Sequence, residues 1–207
     1  QLPSGVRAGG LRSILESDPD ALEDRLNRVA RDGVHVFSAL NTAGMDDGFV
    51  LLLPAGSAIE RPIELIHLSI GMEEPRVAQP RHLVALEDGS QATIIERYVS
   101  LGESLYCTNS VLEIELGRGA VLRHDRIQEE SANAFHITGL YLSQAEGSRY
   151  QGLNLGLGAA WARSDLVVRF AGEHAECDLK GLYLSGDRQV MDYHVDVDHA
   201  VPSCASR

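Results

Sequence analysis

The stretch of residues 191–199 carries side chains that could do chemistry. Read with the two-residue period of a β-strand, four polar side chains share one of its faces: Asp192, His194, Asp196 and Asp198. Imidazole and thiolate groups suit iron or zinc, whereas carboxylates alone suit calcium or magnesium. Because residues two apart on a strand lie ~6–7 Å apart, one ion would also need ligands from neighbouring strands. The stretch therefore makes His194, His199 and Cys204 candidate metal ligands, with a solvated acidic strand face as the simpler interpretation.

The other histidines and cysteines give weaker signals. His124 and His136 each alternate with apolar residues, which is typical of hydrogen-bonded histidines on strands. His174 and Cys177 could approach each other across a turn. Cys107 and Cys177 are expected to behave as small hydrophobes. The three cysteines are an odd number at wide spacing, so they indicate neither a disulfide framework nor a zinc knuckle.

Motifs of self-sufficient catalysis are missing from the sequence. It contains no GxxxxGK[ST] phosphate loop and no GxGxxG motif that opens a helix. It also contains no GxSxG nucleophile elbow and no HExxH zinc pair. We therefore assign no catalytic residue and expect a protein that is not an enzyme.

The elements that must position these side chains are short β-rich segments. From Gly48 onward, apolar runs alternate with turn residues, and no helix pattern lies between any two of them. The string Gly-Leu-Tyr-Leu-Ser occurs at 139–143 and again at 181–185, an offset of 181 − 139 = 42 residues. Repetition of a strand unit suggests stacked coils. The pattern predicts an all-β protein and favours a β-helix, with a sandwich left open.

The first forty residues are predicted to be helical. Asp18-Pro19-Asp20 offers an N-cap and a proline at the first helical turn, and Gly33 a C-terminal stop. Between them, four apolar residues fall on one helix face: Leu22, Leu26, Val29 and Ala30. We divide the chain into an N-terminal helical segment, 1–44, and a β-rich core, 45–207.

Composition excludes several partners. The 207 residues include 30 acidic and 18 basic side chains, a formal net charge of -12, which repels nucleic acid and anionic membranes. No apolar run approaches the roughly 20 residues of a membrane helix, and the N-terminus lacks a secretory pattern. Unpaired cysteines fit a reducing compartment, so a cytoplasmic protein is expected.

A family resemblance runs along nearly the whole chain. The runs that carry it are Asn41-Thr42-Ala43, Asp47-Gly48-Phe49, Pro54-Ala55-Gly56, Arg81-His82-Leu83-Val84, Glu96-Arg97-Tyr98, Thr108-Asn109, Gly119-Ala120-Val121-Leu122 and, most strongly, the stretch 192–206 with its D-x-H-x-x-V-x-H-x-x-P-x-C-x-S pattern. The chain resembles the SufB/SufD family of iron–sulfur cluster assembly proteins, and its SufD branch more than its SufB branch.

The resemblance implies a fold and a function. It implies a right-handed parallel β-helix core behind a helical N-terminal region, and a scaffold on which a transient iron–sulfur cluster is built. The implied partners are a SufB-type paralogue and a SufC-type ABC ATPase. The family's cluster-related cysteine and histidine are expected beyond Arg207, so this chain would hold no cofactor and its β-helix would be truncated at the C-terminal end. An open coil end predicts that the chain either self-associates, as a homo-oligomer, or is capped there.

Two alternatives come from other functional classes. A calcium-dependent, polysaccharide-active β-helix protein of lyase type would use Asp192, Asp196 and Asp198 to bind calcium. Its weakness is the 5% content of aromatic residues for stacking on sugars. A stand-alone metal-binding protein would use His194, His199 and Cys204.

Overall fold

The computed structural model describes residues 2–30, 35–71, 74–186 and 188–207. Among the described residues, three α-helices lie near the N-terminus: α1 (Leu11–Ser17), α2 (Asp20–Glu23) and α3 (Val36–Gly44). The strands are β1 (Arg7–Gly10), β2 (Phe49–Leu53), β3 (Ile63–Ile70), β4 (Arg76–Ala78), β5 (Arg81–Leu86), β6 (Gln91–Leu101), β7 (Tyr106–Leu116), β8 (Val121–Glu129), β9 (Phe135–Gln144), β10 (Arg149–Gly156), β11 (Trp161–Phe170), β12 (Glu176–Tyr183), β13 (Val190–Asp198) and β14 (Ala205–Ser206).

The strands stack as a parallel β-helix of about five turns. In the described residues, sheet A has the order β1-β2-β5-β7-β9-β11-β13, with β4 also paired to β7, and sheet B has the order β14-β12-β10-β8-β6-β3. Within each sheet the neighbours are parallel, except that β1 pairs antiparallel with β2. The chain alternates between the sheets, so each coil adds one strand to each. The predicted β-helix is confirmed, and the sandwich is excluded.

The period of the coils differs from the spacing of the repeated string. Paired residues in successive coils are separated by 26 residues, as from Phe135 to Trp161, up to 33 residues, as from Val50 to Leu83. The first copy of Gly-Leu-Tyr-Leu-Ser lies on β9 of sheet A, and the second begins on β12 of sheet B and extends past the end of that strand at Tyr183. The offset of 42 residues therefore spans about one and a half coils. The two copies also turn opposite faces inward, because Leu140 and Leu142 are buried in the core whereas Leu182 and Leu184 are exposed.

Every second side chain of a strand points into the interior of the β-helix, and both sheets contribute such side chains. On β6, Ala92, Ile94, Glu96 and Tyr98 are buried while the residues between them are only partly buried. A continuous apolar core runs through successive coils, with Leu51, Val84, Ile114 and Phe170 among its members. The first coil leaves little room at one point, because a Cβ on Gly48 would lie 1.7 Å from the backbone oxygen of Arg81. Only glycine fits there.

The N-terminal segment departs from the predicted helix. β1 is a strand, and α2 ends at Glu23 instead of continuing to Gly33, which lies outside the described residues. Asn27 takes a left-handed backbone with φ 60°, which ends the helical pattern. The freed backbone N–H groups of Asn27, Val29 and Ala30 donate to the Glu113 carboxylate at 2.7, 2.9 and 3.0 Å. A distant side chain thus replaces the local helical acceptors.

Glu113 is the centre of a buried ionic junction between this segment and sheet A. It is 0% exposed and accepts two hydrogen bonds from the Arg81 guanidinium, the shorter at 2.6 Å. Arg81 also donates to the side-chain oxygens of Asn27, Asn41 and Thr42. The junction fastens residues 27–30 and α3 to the outer face of sheet A.

The last described coil exposes apolar side chains. They are Leu182, Tyr183 and Leu184 at the end of β12, and Val190 and Val195 on β13. No helix within the described ranges is long and apolar enough to cross a membrane.

Candidate functional site: a polar interior of histidine and glutamate

One part of the β-helix interior is polar instead of apolar. Sheet B contributes His67, Glu96, Tyr98, His124, Arg126 and Gln128 to it, and sheet A contributes His82, Thr108, Ser110, His136, Thr138 and Ser164. These side chains continue the inward alternation of their strands, so backbone geometry and not a special loop positions them. The arrangement places several titratable groups out of contact with bulk water.

Glu96 is the hub of this polar interior. The Tyr98 hydroxyl donates to one of its oxygens at 2.7 Å, and Nε2 of His124 lies 3.0 Å from the other. Nε2 of His67 and Nε2 of His82 face the first oxygen at 3.4 and 3.9 Å. His124 continues the chain of contacts, since its Nδ1 lies 3.1 Å from the Tyr150 hydroxyl.

The surroundings of Glu96 shift several pKa values. Burial alone would raise the pKa of Glu96, but the hydrogen bond with His124, the approach of His67 and the charges of the facing imidazoles hold it well below its usual range. Burial lowers the pKa of His82 to about 4, against the opposing charge of Glu96. Burial and the Glu96 charge raise the pKa of Tyr98. At neutral pH the hub is therefore a carboxylate that faces a neutral His82 and a neutral tyrosine.

A second buried carboxylate, Glu130, lies further along the interior. Its oxygen is 2.6 Å from Nδ1 of His136, and it accepts hydrogen bonds from Thr108 and Gln128. Burial raises the pKa of Glu130, but the charge of His136 and these hydrogen bonds outweigh it, so the pKa falls below its ordinary value. The edge of the His136 ring contacts Tyr98 with centroids 4.6 Å apart, which links the two carboxylate clusters.

The polar interior opens to the surface at its first coil. An open cavity of about 620 Å³ reaches His67 and His82. The same cavity is lined by Asp46, Asp47 and Gln79. Nε2 of His67, Nε2 of His82 and a Glu96 oxygen all lie within 4.8 Å of one another, as potential metal ligands do. The chemistry open to this mouth is binding of a cation or a small polar ligand, with Glu96 as the acceptor.

The residues predicted as metal ligands lie at the opposite end of the β-helix. His194 is exposed and pairs with Asp192 at 2.9 Å. His199 packs edge-on against Phe170, with centroids 4.7 Å apart, and its Nε2 lies 3.1 Å from the Ser206 hydroxyl. The Cys204 thiol donates to the Gly172 carbonyl at 3.4 Å. Each thus has protein partners of its own, and their assignment as ligands stays a prediction.

The weaker histidine and cysteine predictions can be compared with the geometry. The hydrogen-bonded strand position predicted for His124 is confirmed by its contacts with Glu96 and Tyr150. His174 is exposed, with a left-handed backbone, whereas Cys177 is buried in the apolar core. Burial and the charge of Asp178 raise the pKa of the Cys177 thiol to about 12, which agrees with the small hydrophobe expected.

The importance of His67, His82 and Glu96 as a group was missed by sequence reasoning. A signal existed for Glu96, since it falls in phase with the inward residues Ala92 and Ile94. His82 likewise falls in phase with the inward residues Val84 and Leu86 of its own strand. A polar residue at an inward position of a strand marks a polar interior, but its partners lie on other coils and require the fold.

Fold and site together define a class: a parallel β-helix whose polar interior contains titratable side chains, without a catalytic motif in the sequence. Comparison with known proteins identifies the family within that class. Residues 69–207 match the model described as SUF system FeS cluster assembly, SufBD core domain, and residues 1–65 match the SufBD protein N-terminal region. The chain belongs to the SufBD family, an assembly-protein family.

Curated relatives agree with this assignment. The chain is 33% identical over 201 residues to the iron–sulfur cluster assembly SufBD family protein slr0076 of Synechocystis, covering 93% of the chain and 44% of that protein. It is 30% identical to the chloroplastic protein ABCI7 of Arabidopsis thaliana, covering all of the chain and 44% of that protein. It is 27% identical to SufD of Escherichia coli, covering all of the chain and 48% of SufD.

Both branches of the family are among the relatives. SufB of Bacillus subtilis is 22% identical over 198 residues, covering 94% of the chain and 42% of SufB. The chain spans less than half the length of the curated relatives it matches. Membership of the SufBD family indicates a role in iron–sulfur cluster assembly.

Proposed function

We propose that this chain belongs to a scaffold protein of the SUF system, of SufD type, that pairs with a SufB-type paralogue and is bound by a SufC-type ABC ATPase. The protein acts in the cytoplasm and performs no catalysis itself. The iron–sulfur cluster is its transient cargo, and we assign no cluster ligand to residues 1–207.

The match of the SufBD core domain over residues 69–207 carries this proposal. In the described part of the chain, β13 forms one edge of sheet A, with Val195 55% exposed on it. Strand edges with adjacent apolar side chains are ready templates for pairing with another chain. This end of the β-helix is our proposed surface for self-association of the 207-residue chain.

Nothing in the family assignment favours the calcium-dependent polysaccharide-active alternative. Two of its three carboxylates already face arginines: Asp192 lies 2.8 Å from Arg163, and Asp198 lies 3.9 Å from Arg169. We therefore retain the assembly role alone.

Co-purification of the full-length protein tests the pairing. A tagged copy is expressed with the SufB-type and SufC-type proteins of the same organism, and a stoichiometric complex is expected. Failure to associate, together with normal maturation of iron–sulfur enzymes in a deletion strain, would refute the scaffold role.

Light scattering of the 207-residue chain tests the apolar end. We expect self-association that increases with concentration and that Val195→Glu abolishes. The matched control is Ile66→Glu, which changes an equally exposed apolar residue (57%) on β3, far from the last coil. A strictly monomeric wild-type chain, or equal effects of both variants, would contradict the assignment of this surface.

A further inference from the structure

The mouth of the polar interior brings together three ligand-type groups from three strands. His67 comes from β3 and Glu96 from β6, which are neighbours in sheet B, while His82 comes from β5 in the facing sheet A. The fold therefore assembles this group across the interior, between sequence positions as far apart as 67 and 96. His82 is 1% exposed and Glu96 is 3% exposed, whereas the His67 side chain is 19% exposed at the cavity.

Two of these groups have unused hydrogen-bonding capacity. Nε2 of His67 and Nε2 of His82 are buried atoms without a hydrogen-bond partner in the structure. Buried polar atoms are almost always partnered, and an exception needs an explanation. Both nitrogens point toward the same Glu96 oxygen, at distances too long for good hydrogen bonds. The space between them is suited to a bound species that all three groups contact.

The tautomer of His82 decides which role it can take. The backbone N–H of Phe49 donates to Nδ1 of His82 at 2.8 Å, so Nδ1 must offer its lone pair. A neutral imidazole then carries its proton on Nε2, which makes Nε2 a donor and not a metal ligand. His67 has a different constraint, since its ring stacks on Tyr98 with centroids 4.2 Å apart and planes 12° apart. That stack holds Nε2 of His67 in position toward Glu96.

We infer that this mouth binds a divalent first-row transition-metal ion, with Nε2 of His67 and a Glu96 oxygen as its protein ligands and the His82 Nε2–H as a donor to a water molecule on the ion. An imidazole and a carboxylate are ligands that suit Zn²⁺ and its neighbours, whereas oxygen ligands alone would suit Ca²⁺ or Mg²⁺. A donor behind a metal-bound water is a usual outer-shell partner.

The charge around the mouth favours a cation. Asp46 and Asp47 line the same cavity, with Asp46 in an ion pair with Arg12, and no lysine or arginine is among the described residues that line it. The cavity is wide enough for the remaining coordination positions to hold water. The inference does not depend on the scaffold role, because the isolated chain is tested without any partner.

Zn²⁺ titration of the metal-stripped 207-residue chain by calorimetry tests this inference. One equivalent is expected to bind, and Co²⁺ in place of Zn²⁺ should give a visible absorption band. His67→Phe keeps the ring stack on Tyr98 and removes the ligand, so both signals should be lost. Glu96→Gln should have the same result, and circular dichroism verifies that each variant retains its fold.

His194→Ala and His199→Ala are the matched controls, because they remove the histidines predicted as ligands from sequence. Both are expected to bind Zn²⁺ as the wild type does. Unchanged binding in His67→Phe, or loss of binding only in the His194 or His199 variants, would overturn the inference. Absence of Zn²⁺ and Co²⁺ binding by the folded wild-type chain would do so as well.

Discussion

Replacement of Glu113 by glutamine should release the N-terminal segment from the β-helix. The Glu113 carboxylate is fully buried and accepts hydrogen bonds from three backbone N–H groups and twice from Arg81. A glutamine keeps one acceptor oxygen but turns an NH₂ group toward other donors. It also leaves the Arg81 guanidinium, 1% exposed, without its counter-charge.

The expected loss of stability follows from this geometry. Removal of one partner of a buried ion pair costs about 3–5 kcal/mol, mainly because the other charge stays buried and uncompensated. With a urea dependence of about 2 kcal/mol per molar, the unfolding midpoint should fall by about 1.5–2.5 M. Far-UV circular dichroism against urea measures the midpoint. Hydrogen exchange should show faster exchange at the amides of Asn27, Val29 and Ala30.

Two further variants make this test sharp. Asp88→Asn breaks an exposed pair with Arg118, so its midpoint should match that of the wild type. The double variant Arg81→Met with Glu113→Leu removes both charges and should recover much of the lost stability, because no charge is left buried. If Glu113→Gln shifted the midpoint no more than Asp88→Asn does, the junction would not hold the segment as argued.

Three other predictions concern single positions. Gly48→Ala should lower the urea midpoint more than Gly56→Ala does, because the Cβ of an alanine at position 48 would lie 1.7 Å from a backbone oxygen. At Gly56 there is open space, and only the left-handed φ costs alanine about 1–2 kcal/mol. Equal losses in the two variants would contradict this. The pKa of Glu130 is lowered in the folded chain, so its contribution to stability is present above its ordinary pKa of 4.5 and is lost as the pH falls through the lowered value. At pH values below about 4.5 the urea midpoint should therefore decrease as the pH is lowered, and it should decrease less steeply in Glu130→Gln. Parallel curves of urea midpoint against pH for the two proteins would argue against this. Cys177, with a pKa of about 12, should resist iodoacetamide at pH 8 until the chain is unfolded, as mass spectrometry would show; rapid labelling of the folded chain would exclude the buried thiol.

The strands were predictable because alternation is local. On β13, the predicted division between Asp192, His194 and Asp196 on one face and Tyr193 and Val197 on the other agrees with the exposed His194 and with Val197 packed against the core. The coil period was not predictable from the repeated string, since its two copies belong to different sheets and turn opposite faces inward. Period-2 patterns give a strand's inward face but not its sheet.

The N-terminal segment and the site were unpredictable for a different reason. The helix prediction after Asp20 rested on local spacing, but the acceptor that ends the helix, Glu113, is 86 residues away from Asn27. Glu96 and His82 belong to runs that carry the family resemblance, yet their approach to His67 depends on the stacking of coils. Long-range contacts decide both features, and no local pattern encodes such contacts.

The nearly constant spacing between paired strands also has a consequence for unfolding. A residue in one coil touches mainly residues one coil before or after it, so stability is the sum of coils and of the junctions between neighbours. Hydrogen exchange should then show lower free energies of local opening in weakly reinforced coils than in strongly reinforced ones. The first coil has the β1–β2 pair as reinforcement, and the Glu113 junction joins β5 and β7 in the next two coils. The coils around the polar mouth should therefore be among the last parts to open.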